Sequence, residues 1–273
     1  MNILNGKKLA EEILAGLKEK IAKKGLKLKL AVVQVGENAV SQIFINQKRK
    51  ACEQVGIGFE LFKFPAQIGV AELKQEINKI VKDPANSGII IQLPLPKNFI
   101  PEEFLNLIPE EKDVDVLAEG SLGKFYQGTL RISPPSVNGI LRLLKNYRIK
   151  LKGKNVVILG AGRLVGFPLA IQLLKEKATL SVLNEFSASA PSFIKKADIL
   201  VSAVGKPNLI KEKMVEKGVI VIDAGSTIER GRSVGDVDFK NIVKKASFIT
   251  PVPGGVGPLT VACLLENLFI LQT

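Results

Sequence analysis

The chain has 273 residues, of which 46% are hydrophobic, and its 39 Lys and Arg against 26 Asp and Glu give a formal net charge of +13. That length suggests one large domain or two modest ones, and the hydrophobic content excludes intrinsic disorder, collagen and mucin-like stalks. Histidine is absent and cysteine occurs only at Cys52 and Cys263, which excludes a disulfide framework, a histidine-dependent triad and a Cys/His metal motif.

The first half of the chain alternates helical patterns with short apolar runs, as in a parallel sheet covered by helices. Residues 116–135 interrupt this alternation with Gly, Ser and Pro, and we interpret them as a connecting region. The predicted helices are 6–24, 41–56, 69–83 and 101–108, and the predicted strands are 29–36, 59–64 and 87–96.

A second series of the same kind begins after the connecting region. The sequence therefore predicts two α/β lobes, of which the second is a Rossmann-type dinucleotide-binding domain. We expect the first lobe to span 1–138, joined by the C-terminal helix 258–273, and the second to span 139–257. The predicted elements are the helix 136–148, the strands 155–162, 178–184, 197–205 and 218–225, and the helix 259–271.

The charge pattern leaves three interpretations of the basic surface open. Residues 1–50 contain ten Lys and one Arg against four Glu, a net of +7. Nucleic-acid binding and attraction of small polyanionic substrates are two explanations. Helical spacing of the lysines around Leu and Ile favours the third, a solvated helix face, so no nucleic-acid partner is expected. The polar start and the short apolar runs indicate a cytoplasmic protein without a membrane partner.

A glycine-rich turn between a strand and a helix is the clearest single motif. In NVVILGAGRLVGFP, a strand is followed by Gly160, Gly162 and Gly166 and then by a helical pattern. Gly160 permits a tight turn, Gly162 lets a pyrophosphate approach the backbone, and the start of the helix offers unpaired N–H groups. The alternative is a plain turn before a helix. Glu185 ends the next strand, where an acidic side chain favours NAD by binding ribose hydroxyls, unless it is only an exposed strand-end residue. Arg163 could instead pair with the 2′-phosphate of NADP.

Several further segments together resemble the bifunctional methylenetetrahydrofolate dehydrogenase/methenyltetrahydrofolate cyclohydrolase family. They occur in the family's order and extend over nearly the whole chain, and PVPGGVGP and QLPLP are highly specific. The matching segments are SQIFINQKRKACEQVGI (41–57), GIIIQLPLP (88–96), EKDVD (111–115), GAGRLVGFP (160–168), SAVGKP (202–207), VIDAG (221–225), VGDVDF (234–239) and ITPVPGGVGPLTVACLLEN (249–267).

The resemblance implies a two-domain homodimer with the folate in the cleft between the lobes. Hydride would pass from 5,10-methylenetetrahydrofolate to a nicotinamide cofactor, NADP in most of the family, and the methenyl product would be hydrolysed to 10-formyltetrahydrofolate. Such an enzyme serves one-carbon metabolism and so purine, methionine and histidine biosynthesis. The chemistry suits a chain without histidine or metal, because hydride transfer depends on positioning more than on acid–base catalysis.

The resemblance also assigns roles to single residues. Lys48 matches the catalytic lysine, Gln92 the glutamine that binds it and the folate, and Asp115 the aspartate that holds the pterin ring. Without the resemblance, these would be interpreted as a surface lysine and two turn residues. The implied substrate contacts are Phe44, Lys48, Gln92, Asp115, Pro253, Gly254 and Gly255, and the implied cofactor contacts are Gly160, Ala161, Gly162, Arg163, Gly166, Glu185, Gly205, Ser226 and Thr227.

The chain departs from the family pattern at several of these positions. Phe44 replaces a tyrosine, so a hydroxyl is lost at the site of the hydrolysis, and VLAEGSLG replaces the usual Gly-Phe-His-Pro after EKDVD. Gly162 stands where the family commonly has serine, and Phe167 stands where NADP-using members often have a basic residue. Ser226 and Thr227 stand where an apolar residue that contacts the cofactor and its neighbour are usual. Two alternatives to a bifunctional enzyme follow, a dehydrogenase with little cyclohydrolase activity and a non-catalytic basic binding protein.

Overall fold

The structure, a computed structural model, describes residues 2–229 and 232–273. The described residues form α-helices and mainly parallel strands, which confirms the predicted α/β class. They divide into two compact units. The six-stranded unit comprises Met1–Ala10 and Ser136–Thr260, and the three-stranded unit comprises Glu11–Pro135 and Val261–Thr273.

The elements are numbered here in chain order. The strands are β1 (Asn2–Ile3), β2 (Lys29–Val35), β3 (Gly58–Phe64), β4 (Gly88–Ile91), β5 (Asn155–Leu159), β6 (Thr179–Leu183), β7 (Ile199–Ser202), β8 (Ile220–Asp223), β9 (Thr227–Glu229), β10 (Arg232–Val234) and β11 (Phe248–Ile249). The helices are α1 (Gly6–Lys24), α2 (Ala39–Val55), α3 (Val70–Lys82), α4 (Pro101–Leu105), α5 (Glu119–Gln127), α6 (Pro135–Asn146), α7 (Gly166–Lys175), α8 (Ala190–Lys195), α9 (Phe239–Ile242) and α10 (Val256–Leu271).

The three-stranded unit is built on a parallel sheet in the order β3-β2-β4. Side chains alternate between the faces of a strand, so Ala31, Val33 and Val35 of β2 lie on one face. These residues form one buried cluster with Leu73 and Ile77 of α3. The next residues of the strand project to the opposite face.

The end of the chain completes the three-stranded unit. Asn267 of α10 donates hydrogen bonds through Nδ2 to the carbonyl oxygens of Val114, at 3.0 Å, and Ser133, at 2.8 Å. Leu268 lies against Gly88 so closely that a Cβ atom at that glycine would overlap its side chain. The final helix therefore fills the interior next to β4.

The six-stranded unit has a parallel sheet in the order β1-β11-β8-β7-β5-β6. Because its strands are parallel, their carboxyl ends meet at one edge, where ligands of such sheets bind. The pair β9/β10 is antiparallel. The first residues of the chain group with this unit rather than with the first lobe, because Ile3 of β1 pairs with Ile249 of β11.

The region predicted as a connection, 116–135, contains the helix α5, so that prediction was incomplete. The helix forms in spite of two internal glycines because the preceding turn is held by Asp113, which accepts hydrogen bonds from the amides of Leu117 and Ala118. It ends at Gly128, which has a φ of 81°. The hydrogen-bonding carboxylate, rather than local propensity, starts this helix.

Two structural features are absent from the described residues. None of the helices in residues 2–229 and 232–273 combines the length and apolar character that crossing a membrane requires. In the same residues, no group of three or more His, Cys, Asp or Glu side chains could hold a metal ion. Cys52 and Cys263 lie in helices as buried thiols that form no disulfide.

Candidate active site and nucleotide-binding edge

Lys48 lies on the buried side of α2. The helix begins at a cap in which the Asn38 side chain accepts a hydrogen bond from the Ser41 amide at 2.9 Å. Ile45 and Cys52 are fully buried one turn to either side, and Lys48 itself is only 7% exposed. The sequence alone suggested a surface lysine, but the helix turns this side chain inward.

Gln92 holds the Lys48 ammonium group. It follows β4 directly, at the carboxyl end of the strand, and its amide donates to the carbonyl of Val33 at 2.8 Å. The side-chain Nε2 donates to the Leu93 carbonyl at 2.8 Å, which leaves Oε1 to accept from Lys48 Nζ at 2.9 Å. Because the amide nitrogen is already engaged, the orientation of the Gln92 side chain is fixed.

The environment of Lys48 makes its ammonium group easier to deprotonate than that of an exposed lysine. Burial lowers the pKa of Lys48 below its usual 10.5, while the Asp115 carboxylate and, less strongly, Cys52 oppose that decrease. Burial also raises the pKa of Asp115, with the Lys48 ammonium opposing and the Asp113 carboxylate adding to the increase. Burial raises the pKa of Cys52 to about 12, so this thiol stays protonated and unreactive.

Asp115 is presented by a turn with an uncommon backbone conformation. The next residue, Val116, has a φ of 57° although it is β-branched and fully buried. Such a conformation costs free energy and is maintained only where the surroundings enforce it. Here Asp113 holds the amides that follow. The resemblance implies glycine at this position, and here a valine adopts the left-handed conformation that favours glycine.

Phe44 lies on α2 one turn before Lys48 and is half-buried. Residues four apart on a helix share a face, so its ring and the Lys48 side chain project from the same side of α2. The structure thus brings together four predicted residues of the three-stranded unit, namely Phe44, Lys48, Gln92 and Asp115.

The predicted substrate residues Pro253, Gly254 and Gly255 belong to the six-stranded unit. They follow β11, at the edge where the carboxyl ends of its strands meet. Gly254 has a φ of 110°, and its carbonyl oxygen accepts a hydrogen bond from the Lys7 amide at 2.8 Å. A Cβ atom at Gly6 would overlap the carbonyl oxygen of Gly255, so the glycines permit close packing of backbone on backbone.

The glycine-rich turn connects β5 to α7 at the same edge. Gly160 has a φ of 96°, and a Cβ atom there would overlap the carbonyl oxygen of Ala203. A Cβ atom at Gly166 would overlap the carbonyl of Gly160, so both positions require glycine. Gly162 is exposed and has open space around it. The backbone beside Gly162 at the start of α7 is thus accessible and fits the pyrophosphate of a dinucleotide.

The other predicted cofactor residues lie on the loops that follow neighbouring strands. Glu185 is exposed after β6, Gly205 lies after β7, and Ser226 follows β8. Ser226 Oγ lies 3.2 Å from Ser233 Oγ, and Thr227 begins β9. The sheet order therefore assembles all of these residues along one edge, together with Ala161 and the half-exposed Arg163 of the glycine-rich turn.

No role was predicted from the sequence for Asp223 and Asp236, although both lie in segments that resemble the family. They are 3% and 0% exposed, and each accepts hydrogen bonds from backbone amides. Burial raises the pKa of Asp223 to about 6, an increase to which Asp236 adds and which the amides of Val237, Asp236 and Gly225 oppose. The signal in the sequence is an acidic residue within two positions of a glycine, as in VIDAG and VGDVDF.

Comparisons with known proteins agree with this arrangement. Residues 4–115 match the catalytic domain of the tetrahydrofolate dehydrogenase/cyclohydrolase family, and residues 134–273 match its NAD(P)-binding domain. The chain is 43% identical over 269 residues to the bifunctional protein FolD of Hydrogenobaculum sp., covering 98% of this chain and 97% of that protein.

Two solved structures are similar over almost their whole length. The bifunctional FolD enzyme of Campylobacter jejuni is 41% identical, with a TM-score of 0.93 and coverage of 100% of this chain and 99% of that one. The Trypanosoma brucei dehydrogenase-cyclohydrolase, solved with NADP and an inhibitor, is 33% identical, with a TM-score of 0.93 and coverage of 98% and 95%. The sequence matches, the shared fold and the Lys48–Gln92 geometry lead to one assignment: the chain belongs to the tetrahydrofolate dehydrogenase/cyclohydrolase family.

Proposed function

We propose that this protein oxidises 5,10-methylenetetrahydrofolate with a nicotinamide cofactor and then hydrolyses the methenyl product to 10-formyltetrahydrofolate. The observation that carries the proposal is the buried Lys48 ammonium group bound at 2.9 Å by Gln92 Oε1. The full-length similarity to bifunctional FolD proteins supports both activities.

In the oxidation, the role of the protein is to bind the two reactants and to orient them. The glycine-rich turn and the amino end of α7 would bind the pyrophosphate of the cofactor, because free amides and the helix dipole favour an anion there. When bound, the nicotinamide ring accepts the hydride. Binding the reactants in a fixed geometry supplies much of the rate increase, and this step requires no acid or base from the protein.

In the hydrolysis, Lys48 would act as the base that removes a proton from the attacking water. A neutral amine can donate one N–H to Gln92 Oε1 and keep its lone pair for the water. Burial lowers the pKa of Lys48 and so increases the neutral fraction. A cationic methenyl group nearby would lower it further. Gln92 fixes the position of the amine.

Asp115 would hold the pterin ring and so position the one-carbon group. An ionised carboxylate can accept two parallel N–H hydrogen bonds from the ring. The Lys48 ammonium group favours that ionised form, against the effect of burial. Phe44 would offer its ring face to the folate but has no hydroxyl group for the water.

We propose NAD rather than NADP as the preferred cofactor, which refines the NAD(P) use shared by the family. The exposed Glu185 carboxylate at the end of β6 can accept hydrogen bonds from both ribose hydroxyls and repels a 2′-phosphate. The exposed Phe167 at the start of α7 adds no positive charge for that phosphate.

We further propose a homodimer, from the family resemblance, and a preference for folates with several glutamates. Exposed lysines of α1, among them Lys18, Lys20 and Lys23, would attract an anionic tail. Sedimentation velocity measures the oligomeric state directly.

Replacing Lys48 with methionine separates the two activities. We expect K48M to lose cyclohydrolase activity by at least about 100-fold, because the base is absent, and to retain hydride transfer. Its free energy of unfolding at pH 7 should fall, because Gln92 Oε1 loses its hydrogen-bond donor and the buried Asp115 carboxyl group loses the nearby positive charge. Single-turnover assays and chemical denaturation measure both. Lys50→Met, an exposed lysine on the same helix, is the matched control, and full hydrolysis by K48M would exclude the lysine as the base.

The pH dependence of the hydrolysis should follow the neutral fraction of Lys48. Because burial lowers this pKa, we expect kcat to rise with pH through an apparent pKa below 10.5 and to level off above that pKa. The unfolding free energy of wild type relative to K48M should also rise with pH in that range, since the unfolded lysine retains its proton longer. After subtraction of the uncatalysed rate, a pH-independent kcat would contradict the mechanism.

The overall function is tested with 5,10-methylenetetrahydrofolate and either NAD or NADP, following reduced cofactor and the methenyl intermediate separately. We expect faster reduction of NAD and only transient methenyl. Persistent methenyl would mean that Phe44 and the altered loop after Asp115 leave only the dehydrogenase, and Phe44→Tyr should then shorten its lifetime. If neither cofactor is reduced, a non-catalytic binding role replaces the proposal.

Glu185→Ser should improve use of NADP relative to NAD about tenfold or more, and an unchanged ratio would remove Glu185 from cofactor selection.

The tail preference is tested by neutralising the α1 lysines. We expect the triple variant Lys18→Gln, Lys20→Gln, Lys23→Gln to bind a pentaglutamate folate no better than the monoglutamate, whereas the wild type prefers the longer tail at low salt. Equilibrium dialysis of both ligands measures the ratio. The control neutralises the exposed lysines 213, 217 and 244 of the other unit, and an unchanged preference in the α1 variant would contradict the proposal.

A further inference from the structure

The loop after β7, residues 203–206, lies where the order of strand addition in the six-stranded sheet reverses. From β5 the chain goes to β6 on one side and then returns to β7 on the other, so β5 and β7 flank the point at which the topology switches. Dinucleotides bind in the crevice at such a point. The loop also touches the glycine-rich turn, because the Ala203 carbonyl leaves no room for a Cβ atom at Gly160.

The side chain of Asp236 holds this loop from the interior of the unit. Its Oδ2 accepts hydrogen bonds from the Val204 amide at 2.7 Å and the Ser202 hydroxyl at 2.8 Å, and Oδ1 accepts from the Lys206 amide at 2.9 Å. Asp236 is 0% exposed, so these hydrogen bonds replace the water that the carboxylate has lost. Both oxygens are thus bonded to amides on either side of Gly205.

Asp236 is itself fixed by a second buried carboxylate. Asp223, at the end of β8, accepts the amides of Asp236 at 3.1 Å and Gly225 at 3.0 Å through Oδ1, and the amide of Val237 at 2.9 Å through Oδ2. A Cβ atom at Gly225 would overlap the Asp236 carboxyl group, and one at Gly235 would overlap that of Asp223. The glycines allow the two carboxyl groups to approach the backbone this closely.

We propose that Asp236 is a positioning residue for the nicotinamide cofactor: it does not touch the nucleotide but fixes the loop 203–206 against the glycine-rich turn in the conformation that binds it. The inference rests on the proposed use of a nicotinamide cofactor. Its physical basis is that Val204 and Lys206 both donate to the carboxylate. Asparagine has the same shape but presents one oxygen and one NH₂ group, so one of the two loop amides must face a donor.

The test compares wild type with Asp236→Asn by isothermal titration of NAD and NADP, alongside steady-state assays of both activities. We expect the Kd and KM for the nucleotide to increase about tenfold in D236N, equivalent to about 1.4 kcal/mol, with a smaller change in kcat. Hydrolysis of added methenyltetrahydrofolate should stay at the wild-type rate, because Lys48, Gln92 and Asp115 belong to the other unit. A merely structural role would lower both activities together without a selective change in nucleotide affinity.

Asp198→Asn is the matched control, because Asp198 accepts the Asn155 amide at 2.8 Å at the opposite end of the same sheet. It should leave nucleotide affinity unchanged. Equal affinity in wild type and D236N would overturn the inference alone, whereas no nucleotide binding by the wild type would overturn the proposed function and the inference with it. If D236N does not fold, hydrogen exchange of the wild type decides: slow exchange of the Val204 and Lys206 amides without nucleotide supports the preformed loop, and fast exchange overturns it.

Discussion

A charged side chain that is removed from water must find hydrogen-bond partners within the protein, and this requirement shapes both units. In the three-stranded unit, Lys48 donates a hydrogen bond to Gln92, whose side chain is oriented by its own hydrogen bond to the Leu93 carbonyl. In the six-stranded unit, backbone amides surround the carboxylates of Asp223 and Asp236. The loops next to these groups are held in place because releasing them would leave a buried charge without a partner.

The two reactions place different demands on the protein, and the chain meets them with different elements. Hydrolysis requires a group whose protonation state can change, and in the proposed mechanism the buried Lys48 of α2 is that group. Hydride transfer requires a rigid surface for a large anionic cofactor, and parallel strands ending at one edge provide that. Neither task requires a metal ion or histidine, which explains how a chain without histidine could perform both.

Much of this organisation could be predicted because it depends on local patterns. The apolar runs predicted the strands, the glycine spacing predicted the turn at Gly160 and Gly166, and the position of Gln92 after a buried strand placed it at a ligand-binding edge. The inward direction of Lys48 required the resemblance, since its neighbours Arg49 and Lys50 are charged. Helix α5 was not foreseen because the side chain of Asp113, which precedes it, starts it. The pairing of β1 with β11 joins residues 246 positions apart, which no local pattern reveals.

The hydrogen bonds of Asn267 have a consequence for synthesis of the protein on the ribosome. Residues of α10 near the end of the chain supply the Asn267 hydrogen bonds to the carbonyl groups of Val114 and Ser133, and the Leu268 side chain that packs against Gly88. A nascent chain that has emerged only as far as residue 135 therefore contains three strands and their helices but lacks the helix that fills the interior. The unit that emerges first completes its core last, so its apolar surface stays open while the whole six-stranded unit is translated.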